Sequence, residues 1–423
     1  MLLLKRIRIS LYFVLFIILV SFFYKIYNKE KIFIDKIIKR NNFLFTESTK
    51  SNICNSLNED LKSILYPNSP DWTFSVLTDK GEIIAAYNSS KPMIPASNLK
   101  LLTTAYSLDV LGPTHLLKTV VTQRINGDFD IYGQGDPDLN LKSIKHIADI
   151  IKENTYKQIL YKRTNIYLHE ESSEFWWPRS WKLVDREKSY GAPISRLAVS
   201  SNAIRASLVN PVSNFRSLLF SYLPNKEDYN ITISKHDPKA GPHLRKRLTI
   251  ESAPMQSLLS LSNSESHNFT AEVLAKSASG SWDPYDYKHK ISNWLKKSNL
   301  GVDNILIVDG SGLSRNNLLT SKFLTNLLYR MDNHKYRDFY ISSMAIIGYR
   351  GTLNNFPSVN TIKGRFYGKT GTLNEVRTMS GYLKTDHGIR YISILGNNVD
   401  EQINTDKILS KMIAKIYNFK QCL

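Results

Sequence analysis

Cysteine is scarce in this sequence, and the motifs that pair cysteine or histidine are missing. Cys54 and Cys422 are the only two cysteines among 423 residues. Without a Cys-x-x-Cys pair the sequence predicts neither a zinc ribbon nor a thioredoxin-like redox site. The nine histidines are scattered and no His-Glu-x-x-His occurs, so we predict no metal site and no cofactor.

Acidic residues are also few relative to basic ones. The chain carries 37 acidic and 56 basic side chains, a formal net charge of +19. This excess fits either a surface that attracts an anionic polymer or lipid, or a lysine-rich surface that is simply solvated. Basic and aromatic residues do not interleave as they do in nucleic-acid modules, so a nucleic-acid binder is the least favoured reading.

The N-terminal segment lacks a small-x-small cleavage site. Lys5, Arg6 and Arg8 precede an apolar run over residues 9–24, and Lys25 follows it. A basic stretch before an apolar one is typical of export signals. The run is slightly short for a full span, which takes about 20 apolar residues. We therefore expect this segment to be a signal anchor in the cytoplasmic membrane. Its removal as a cleaved signal peptide stays an open alternative. Either way the rest of the chain is expected in the periplasm or another extracytoplasmic space.

Beyond residue 50, the predicted secondary structure changes in type twice along the sequence. Helical periodicity mixed with strands on both sides of a strand-rich middle segment predicts an α+β fold with an insertion. We expect a main domain with an antiparallel sheet sandwiched by helices, and a mostly β accessory domain. The predicted parts are an anchor and tether at 1–50, the main domain at 51–113 and 251–423, and the accessory domain at 114–250.

Individual elements follow from periodicity and from capping and turn residues. Helices are predicted over 55–65, 97–111, 141–152, 257–278, 287–298, 321–331 and 406–417. Strands are predicted over 73–77, 82–87, 119–124, 160–167, 197–208, 230–233, 366–367, 379–383 and 391–395.

The first candidate for chemistry is Ser97-Asn98-Leu99-Lys100, a Ser-x-x-Lys at a predicted helix start. Residues three apart lie on one helix face, so Lys100 Nζ can reach Ser97 Oγ. A buried lysine has a lowered pKa and can act as a base near neutral pH. Alone the motif is common by chance, and a capping serine beside a solvated lysine is the alternative interpretation.

Two further motifs follow in the second half of the chain. Ser266-His267-Asn268 falls in the predicted helix after the insertion, and Lys369-Thr370-Gly371-Thr372 follows a short predicted strand. Taken singly, these read as a polar helix face and an ordinary turn. A second Ser-x-Asn, Ser200-Ser201-Asn202, lies in the insertion. We favour Ser266 because it is closer to the Lys-Thr-Gly element and on a predicted helix.

Together and in this order, the three elements resemble the active-site set of serine β-lactamases and penicillin-binding proteins. Within that group the chain is similar to the low-molecular-mass class C penicillin-binding proteins, the penicillin-binding protein 4-type D-Ala-D-Ala carboxypeptidases. The resemblance implies that the main domain is a catalytic domain with the β-lactamase/transpeptidase-like fold, and the long insertion is itself a feature of that family. The resemblance spans roughly residues 52–420 and is carried by segments 95–100, 197–203, 266–269, 309–315 and 368–372.

The resemblance implies a serine-type carboxypeptidase/endopeptidase that acts on peptidoglycan stem peptides through an acyl-enzyme, with β-lactam antibiotics as covalent inhibitors. Ser97 would attack the carbonyl of the penultimate D-Ala and Lys100 would take its proton. Ser266 would relay a proton to the leaving nitrogen.

Substrate binding is implied for the remaining motif residues. Asn268 would bond the substrate's backbone amide, and Lys369 and Thr370 would hold its terminal carboxylate. Gly371 would let the ligand approach closely, and the N–H groups of Thr372 and the nucleophile would form the oxyanion hole. A Gly-Ser-Gly loop at 310–312 is interpreted as structural.

The sequence departs from the family pattern at His267, where aspartate is common, and this could alter deacylation. The insertion is short beside the largest members, so a third domain is expected to be reduced or absent. In this fold the first and last helices pack side by side, which makes a disulfide between Cys54 and Cys422 an open prediction. One alternative is a serine β-lactamase, which the signal anchor and the accessory domain disfavour. The other is a catalytically silent cell-wall-binding scaffold, which the intact motif set disfavours.

Overall fold

The computed structural model describes residues 53–65, 71–155, 163–203, 206–235, 244–357, 360–400 and 403–420. The predicted anchor at 9–24 and Cys422 lie outside these ranges. Among the helices of the described ranges, none is both long and apolar enough to cross a bilayer.

The described residues contain eleven helices and eleven strands, apart from short 3₁₀ turns. The helices are α1 (Asn55–Leu65), α2 (Leu99–Leu111), α3 (Leu141–Thr155), α4 (Leu183–Arg186), α5 (Pro211–Tyr222), α6 (Met255–Asn263), α7 (Asn268–Ser279), α8 (Pro284–Lys297), α9 (Ser321–Asp332), α10 (Arg337–Ser342) and α11 (Thr405–Asn418). The strands are β1 (Trp72–Leu77), β2 (Ile83–Tyr87), β3 (Lys118–Arg124), β4 (Phe129–Tyr132), β5 (Thr164–Glu170), β6 (Tyr229–Lys235), β7 (Leu244–Glu251), β8 (Ala345–Ile346), β9 (Phe366–Leu373), β10 (Val376–Thr385) and β11 (Gly388–Asn397).

The main sheet is antiparallel and has the order β2-β1-β11-β10-β9-β8. Alternate residues of a strand face opposite sides, and β11 shows it: Tyr391 and Leu395 face one hydrophobic cluster, Ile392 and Ile394 the other. Helices α1 and α11 complete one cluster, and α2, α6, α7, α8 and α9 the other. The predicted α+β fold, an antiparallel sheet between helical layers, is confirmed.

A second sheet is built from the middle of the chain, in the order β6-β5-β4-β3-β7. It is mixed, because β4–β5 and β5–β6 pair in parallel while β3 pairs antiparallel with β4 and β7. Helices α3 and α5 share a third hydrophobic cluster with it. Residues 51–423 form one compact unit, so the domain boundaries at 113 and 250 stay a prediction.

The strand predicted over 197–208 is wrong. Residues 200–202 form a 3₁₀ turn with φ values of 46°, 55° and 58°, and a left-handed backbone cannot continue a strand. Helix α5 was not predicted, although its start carries ordinary signals. Asn210 accepts the N–H of Ser213 (3.0 Å), and Pro211 stands in the first turn.

Candidate active site

Ser97 lies in a 3₁₀ turn (Ala96–Asn98) that leads directly into α2. Ala96 has φ of 45°, a conformation that costs free energy in a non-glycine residue and persists only where the surroundings enforce it. Thr378 Oγ1 of β10 donates to the Pro95 carbonyl (2.9 Å). On the other side Gly312 packs so closely that a Cβ there would lie 1.9 Å from the Ala96 oxygen. The turn carrying Ser97 is therefore clamped between β10 and the 309–314 loop.

Lys100 is fully buried one helical turn after Ser97. Its Nζ donates to Ser97 Oγ (2.9 Å), Asn268 Oδ1 (2.7 Å) and the Ser311 carbonyl (2.6 Å). Burial lowers the pKa of Lys100 to about 7, although the negative charges of Asp309 and Glu272 act to raise it. Near neutral pH much of this amine is therefore unprotonated, within hydrogen-bond reach of the serine hydroxyl, as a general base requires.

Ser266 lies in a turn, and the single helix predicted over 257–278 is wrong. The helical conformation is interrupted between α6 and α7, where Ser266 has φ of 62°. Contacts with the distant 351–352 segment hold the break, because the N–H of Thr352 donates to the Ser264 carbonyl (3.0 Å). The turn places both Ser266 and Asn268 in the wall of the cleft that contains Ser97.

Asn268 opens α7 and bridges two parts of the chain. Its Oδ1 accepts from Lys100, and its Nδ2 donates to the carbonyl of Tyr190 in the insertion (2.9 Å). The neighbouring His267 is turned to its own helix, with Nδ1 2.8 Å from Thr270 Oγ1. Burial and the charge of Lys100 lower the pKa of His267 to about 4, so it is neutral at pH 7.

The Lys-Thr-Gly element lies on β9, next to the Ser97 turn. Lys369 is buried, and burial together with the charge of Lys100 holds its pKa well below the ordinary value. Its Nζ donates to the Thr370 carbonyl (2.8 Å), and Thr370 Oγ1 donates to Thr352 Oγ1 (2.8 Å). A Cβ on Gly371 would lie 3.0 Å from the Ser97 nitrogen, which explains why this position is a glycine.

The structure thus brings the residues predicted from the three motifs into one site. A cleft of about 560 Å³ is lined by Ser97, Ser266, Asn268 and Thr372. Lys100 donates hydrogen bonds to Ser97 and Asn268. In the second Ser-x-Asn motif, Ser201 Oγ donates to the Pro137 carbonyl (2.9 Å). Asn202 Nδ2 donates to the Pro193 carbonyl and to Ser195 Oγ, both at 2.8 Å. The side chains of Ser201 and Asn202 are thus bonded within the insertion.

Two buried carboxylates that the sequence analysis did not assign organise the loop against Lys100. Glu272 accepts the N–H groups of Gly310 (3.0 Å) and Ser311 (2.8 Å). Asp309 accepts those of Gly312 (2.8 Å) and Ser314 (2.7 Å). Burial and the charge of Asp309 raise the pKa of Glu272 to about 7. A signal existed for Glu272, because it follows Asn268 by four positions and so shares its helix face.

The insertion also contributes to the cleft. Lys182, Asp185 and Tyr190 line it, together with Arg315 from the loop after Asp309. Trp181 anchors this wall by donating from Nε1 to Asp309 Oδ2 (2.9 Å). No motif marks these insertion residues, because only the tertiary packing of the insertion brings them to the cleft.

Comparisons with known proteins identify the family of the chain. The family described as D-Ala-D-Ala carboxypeptidase 3 (S13) matches residues 70–232 and 230–416. The sequence is 25% identical over 444 residues to a D-alanyl-D-alanine carboxypeptidase of Actinomadura sp. (strain R39), covering 81% of each chain.

Solved structures show the same fold. Penicillin-binding protein 4 from Haemophilus influenzae aligns with a TM-score of 0.72 at 16% identity, over 85% of this chain and 98% of that one. A predatory peptidoglycan endopeptidase from Bdellovibrio bacteriovorus aligns with a TM-score of 0.51 at 18% identity, over 83% and 94%. The chain belongs to the D-Ala-D-Ala carboxypeptidase 3 (S13) family and is a serine-type carboxypeptidase of the low-molecular-mass class C penicillin-binding proteins.

Proposed function

We propose that this enzyme cleaves the D-Ala-D-Ala bond of peptidoglycan stem peptides, and the corresponding D-alanyl cross-link, through an acyl-enzyme on Ser97. The observation that supports this most directly is the buried Lys100 Nζ, 2.9 Å from Ser97 Oγ, with a pKa of about 7. A serine hydroxyl is a weak nucleophile until an adjacent base takes its proton. Lys100 is such a base, and its three hydrogen bonds fix its position.

In the acylation step, the Ser97 hydroxyl proton passes to Lys100 as Oγ bonds to the carbonyl carbon of the penultimate D-Ala. The backbone N–H groups of Ser97 and Thr372 are the proposed donors to the developing oxyanion. Loss of one such donor typically costs about 10²–10³ in rate. The C–N bond then breaks, and the proton held by Lys100 reaches the leaving nitrogen through the Ser266 hydroxyl.

Deacylation reverses the proton flow with water as the nucleophile. A water molecule gives one proton to Lys100 while its oxygen bonds to the acyl carbon. The ester bond to Ser97 breaks, and Oγ takes the proton back from Lys100. The peptide leaves with a new carboxyl group, which loses its proton to solvent, and the free enzyme is restored.

The substrate's terminal carboxylate is the proposed partner of Lys369 and Thr370. The ammonium of Lys369 is disfavoured in the free enzyme by burial and by Lys100. A bound carboxylate would favour its charged form, since an opposite charge within a few ångströms raises a lysine pKa. The site would thus select a chain end that carries a negative charge, as stem peptides do.

β-Lactams are the proposed covalent inhibitors of the same site. Penicillin-binding protein 4 from Haemophilus influenzae, which shares the fold, has been solved in complex with a β-lactam. The lactam carbonyl would acylate Ser97 as the peptide does, and slow hydrolysis of the adduct would distinguish this enzyme from a β-lactamase.

The proposed location is extracytoplasmic, because the substrate lies outside the cytoplasmic membrane. Residues 9–24 are the proposed membrane anchor, on the strength of their apolar run and the basic residues before it. Cell fractionation and the intact mass of the mature protein test both parts. Recovery in the soluble fraction with a shortened N-terminus would replace the anchor with a cleaved signal.

Covalent labelling with a fluorescent penicillin tests the proposed nucleophile. The wild-type protein should form a long-lived adduct that disappears in Ser97→Ala, and it should release D-Ala from a pentapeptide. Ser200→Ala is the matched control, because Ser200 is an exposed residue of the other Ser-x-Asn motif. Equal labelling of Ser97→Ala and wild type would refute the assignment, and rapid nitrocefin hydrolysis would favour a β-lactamase.

A further inference from the structure

Thr352, a residue outside the three sequence motifs, contacts two of them. It belongs to a 3₁₀ turn (Gly351–Leu353), and its backbone N–H donates to the carbonyl of Ser264 (3.0 Å), two positions before Ser266. Its side chain contacts the other motif, because Thr370 Oγ1 donates to Thr352 Oγ1 (2.8 Å). One residue thus connects the Ser-x-Asn turn to the Lys-Thr-Gly strand.

The backbone of this turn is fixed independently of the Thr352 side chain. Gly351 has φ of 64°, and a Cβ there would lie 2.2 Å from Ser264 Oγ and 2.4 Å from the Ser264 carbonyl oxygen. Leu353, on the other side of Thr352, is fully buried. This close approach, the buried leucine and the backbone hydrogen bond hold the turn in place. The Thr352 hydroxyl is therefore available for another role.

The two hydroxyl groups of Thr352 and Thr370 have one hydrogen to spare. Each hydroxyl carries one hydrogen, and a single hydrogen bond joins the two groups. Within the part of the chain that the structure describes, no other group accepts a hydrogen bond from either O–H. Thr352 is exposed and Thr370 is half-buried, so a ligand can reach the pair.

The chemistry of this hydroxyl pair suits a carboxylate. A carboxylate only accepts hydrogen bonds, and its two oxygens offer about four lone-pair sites. Two hydroxyl oxygens 2.8 Å apart can therefore both donate to one such group. Thr370 would turn its hydrogen from Thr352 to the ligand, and Thr352 would use its own. Lys369, whose Nζ donates to the Thr370 carbonyl (2.8 Å), is the cation beside them.

We propose that Thr352 is a specificity-determining residue, whose hydroxyl binds the terminal carboxylate of the acyl donor together with the hydroxyl of Thr370. The proposal rests on the proposed function, which supplies this carboxylate. Recognition of a free chain end is then shared between the Lys-Thr-Gly strand and a turn that no motif marks. Because the same turn contacts Ser264, it also fixes the carboxylate contact relative to the Ser266 turn.

The expected effect of Thr352→Val depends on the charge of the substrate. Valine keeps the branched shape and the N–H bond to Ser264 but lacks the hydroxyl. A hydrogen bond to a charged group contributes more than one to a neutral group. We therefore expect kcat/KM to fall about ten- to thirty-fold for a peptide that ends in D-Ala-D-Ala. For the same peptide ending in D-Ala-D-alaninamide, the fall should be less than about three-fold.

The experiment measures the release of D-Ala and of D-alaninamide from these two peptides by full-length wild type and Thr352→Val. The preference is the ratio of the two kcat/KM values for one protein, so it does not depend on the fraction of that protein that is folded. Thr352→Ser keeps the hydroxyl and should retain most of the wild-type preference. Thr232→Val is the matched control and should leave both values unchanged, because Thr232 is an exposed threonine of β6 in the insertion.

An unchanged preference in Thr352→Val would overturn the proposal, whether both kcat/KM values stay at the wild-type level or fall together. A serine variant that behaves like the valine variant would also overturn it, because the methyl group and not the hydroxyl would then be responsible. Failure of the proposed function has a different signature: wild type would then neither label with penicillin nor release D-Ala.

Discussion

Glu272 accepts a hydrogen bond from the N–H of Ser311 (2.8 Å), and the carbonyl of the same Ser311 accepts one from Lys100 (2.6 Å). One residue of the loop therefore links a buried carboxylate to the proposed catalytic base, through the peptide groups on its two sides. The negative charges of Asp309 and Glu272 oppose the effect of burial on the Lys100 pKa. The loop thus serves both to position the lysine and to keep its pKa from falling too low.

Glu272→Gln should shift the pH dependence of acylation toward acid. Glutamine can still accept the loop N–H groups but removes the partial negative charge that Glu272 carries near its own pKa of about 7, so the pKa of Lys100 falls by a small amount. Because the base must be unprotonated, the rising limb of kcat/KM against pH moves to lower pH. A pH profile of penicillin acylation measures this. A limb that stays in place or moves to higher pH would show that Glu272 does not act on Lys100.

Lys100→Arg should be as inactive in acylation as Lys100→Met, although it retains the positive charge. A guanidinium does not give up its proton near neutral pH, and loss of a general base typically costs about 10²–10⁴ in rate. Stopped-flow or gel-based labelling with penicillin gives the rates, and thermal unfolding shows that the variants fold. Substantial activity in the arginine variant would mean that the residue acts through its charge alone.

Gly371→Ala should impair acylation while leaving the fold intact. The added Cβ would lie 2.2 Å from Thr378 Oγ1, 2.9 Å from the Pro95 carbonyl oxygen and 3.0 Å from the Ser97 nitrogen, so the Thr378 side chain and the nucleophile's turn must both shift relative to β9. We expect a loss of about 10²–10³, as for an oxyanion donor. Gly301→Ala is the control, since a Cβ there meets nothing within 4 Å. Equal activity of the two variants would contradict the required close approach.

The residues that carry the chemistry of the site lie in short sequence motifs, whereas the shape of the cleft depends on residues far apart in the sequence. Ser97 and Lys100 are one helical turn apart, so their contact follows from helix geometry alone, and the β9 motif lies on a strand whose existence was predicted. The turn at Ser266 was missed because the apolar pattern of α6 and α7 continues across it. What breaks the helix is a hydrogen bond from Thr352, far along the chain, and a window of neighbouring residues contains no such information.

The insertion shows the same limit. Strands β3 and β6 were predicted as short strand-like runs between turn residues, whereas the strand expected around Ser200 is a turn held by buried side-chain hydrogen bonds. Likewise, Lys182 and Asp185 reach the cleft only because the insertion packs against the 309–314 loop through Trp181. Such long-range contacts leave no periodic trace in the sequence.

Asp109→Asn should destabilise the protein, and more at neutral than at acidic pH. Asp109 of α2 accepts from Trp294 of α8 (2.7 Å) and lies 2.9 Å from His334 Nε2 beyond α9. The hydrogen bond with His334, then that with Trp294, lowers its pKa from 3.8 to about 2. A carboxyl group whose pKa is lowered by folding stabilises the fold at pH values above its pKa in the unfolded chain. This stabilisation is lost as the pH falls through about 2.

The Asp109 charge therefore contributes about 2 kcal/mol to the free energy of unfolding at pH 7. Urea unfolding from pH 7 downward measures it, and the difference between wild type and variant should shrink toward low pH. Asp338→Asn is the control, because its side chain is 90% exposed and its pair with Arg337 should contribute less than about 1 kcal/mol. A pH-independent difference would mean that the Asp109 charge is not the cause.

The first and last helices are placed so that Cys54 and Cys422 should pair. Strand β1 begins beside the end of β11, where Trp72 pairs with Gly396. Helix α1 precedes β1 and α11 follows β11, so α1 ends and α11 begins at the same end of the strands. Both helices pack on one face and therefore run antiparallel, with Lys415 bonded to Asp60 (2.8 Å).

Cys54 precedes Asp60 by six positions and Cys422 follows Lys415 by seven, and from this spacing we predict that the two cysteines form a disulfide. An extracytoplasmic compartment permits the bond, which would stabilise the fold by about 2–4 kcal/mol. Alkylation without reductant, followed by mass spectrometry, should leave both cysteines unmodified, whereas Cys54→Ser should expose one reactive thiol at Cys422. Two alkylated cysteines in the unreduced wild-type protein would refute the pairing and would remove covalent closure as a source of its stability.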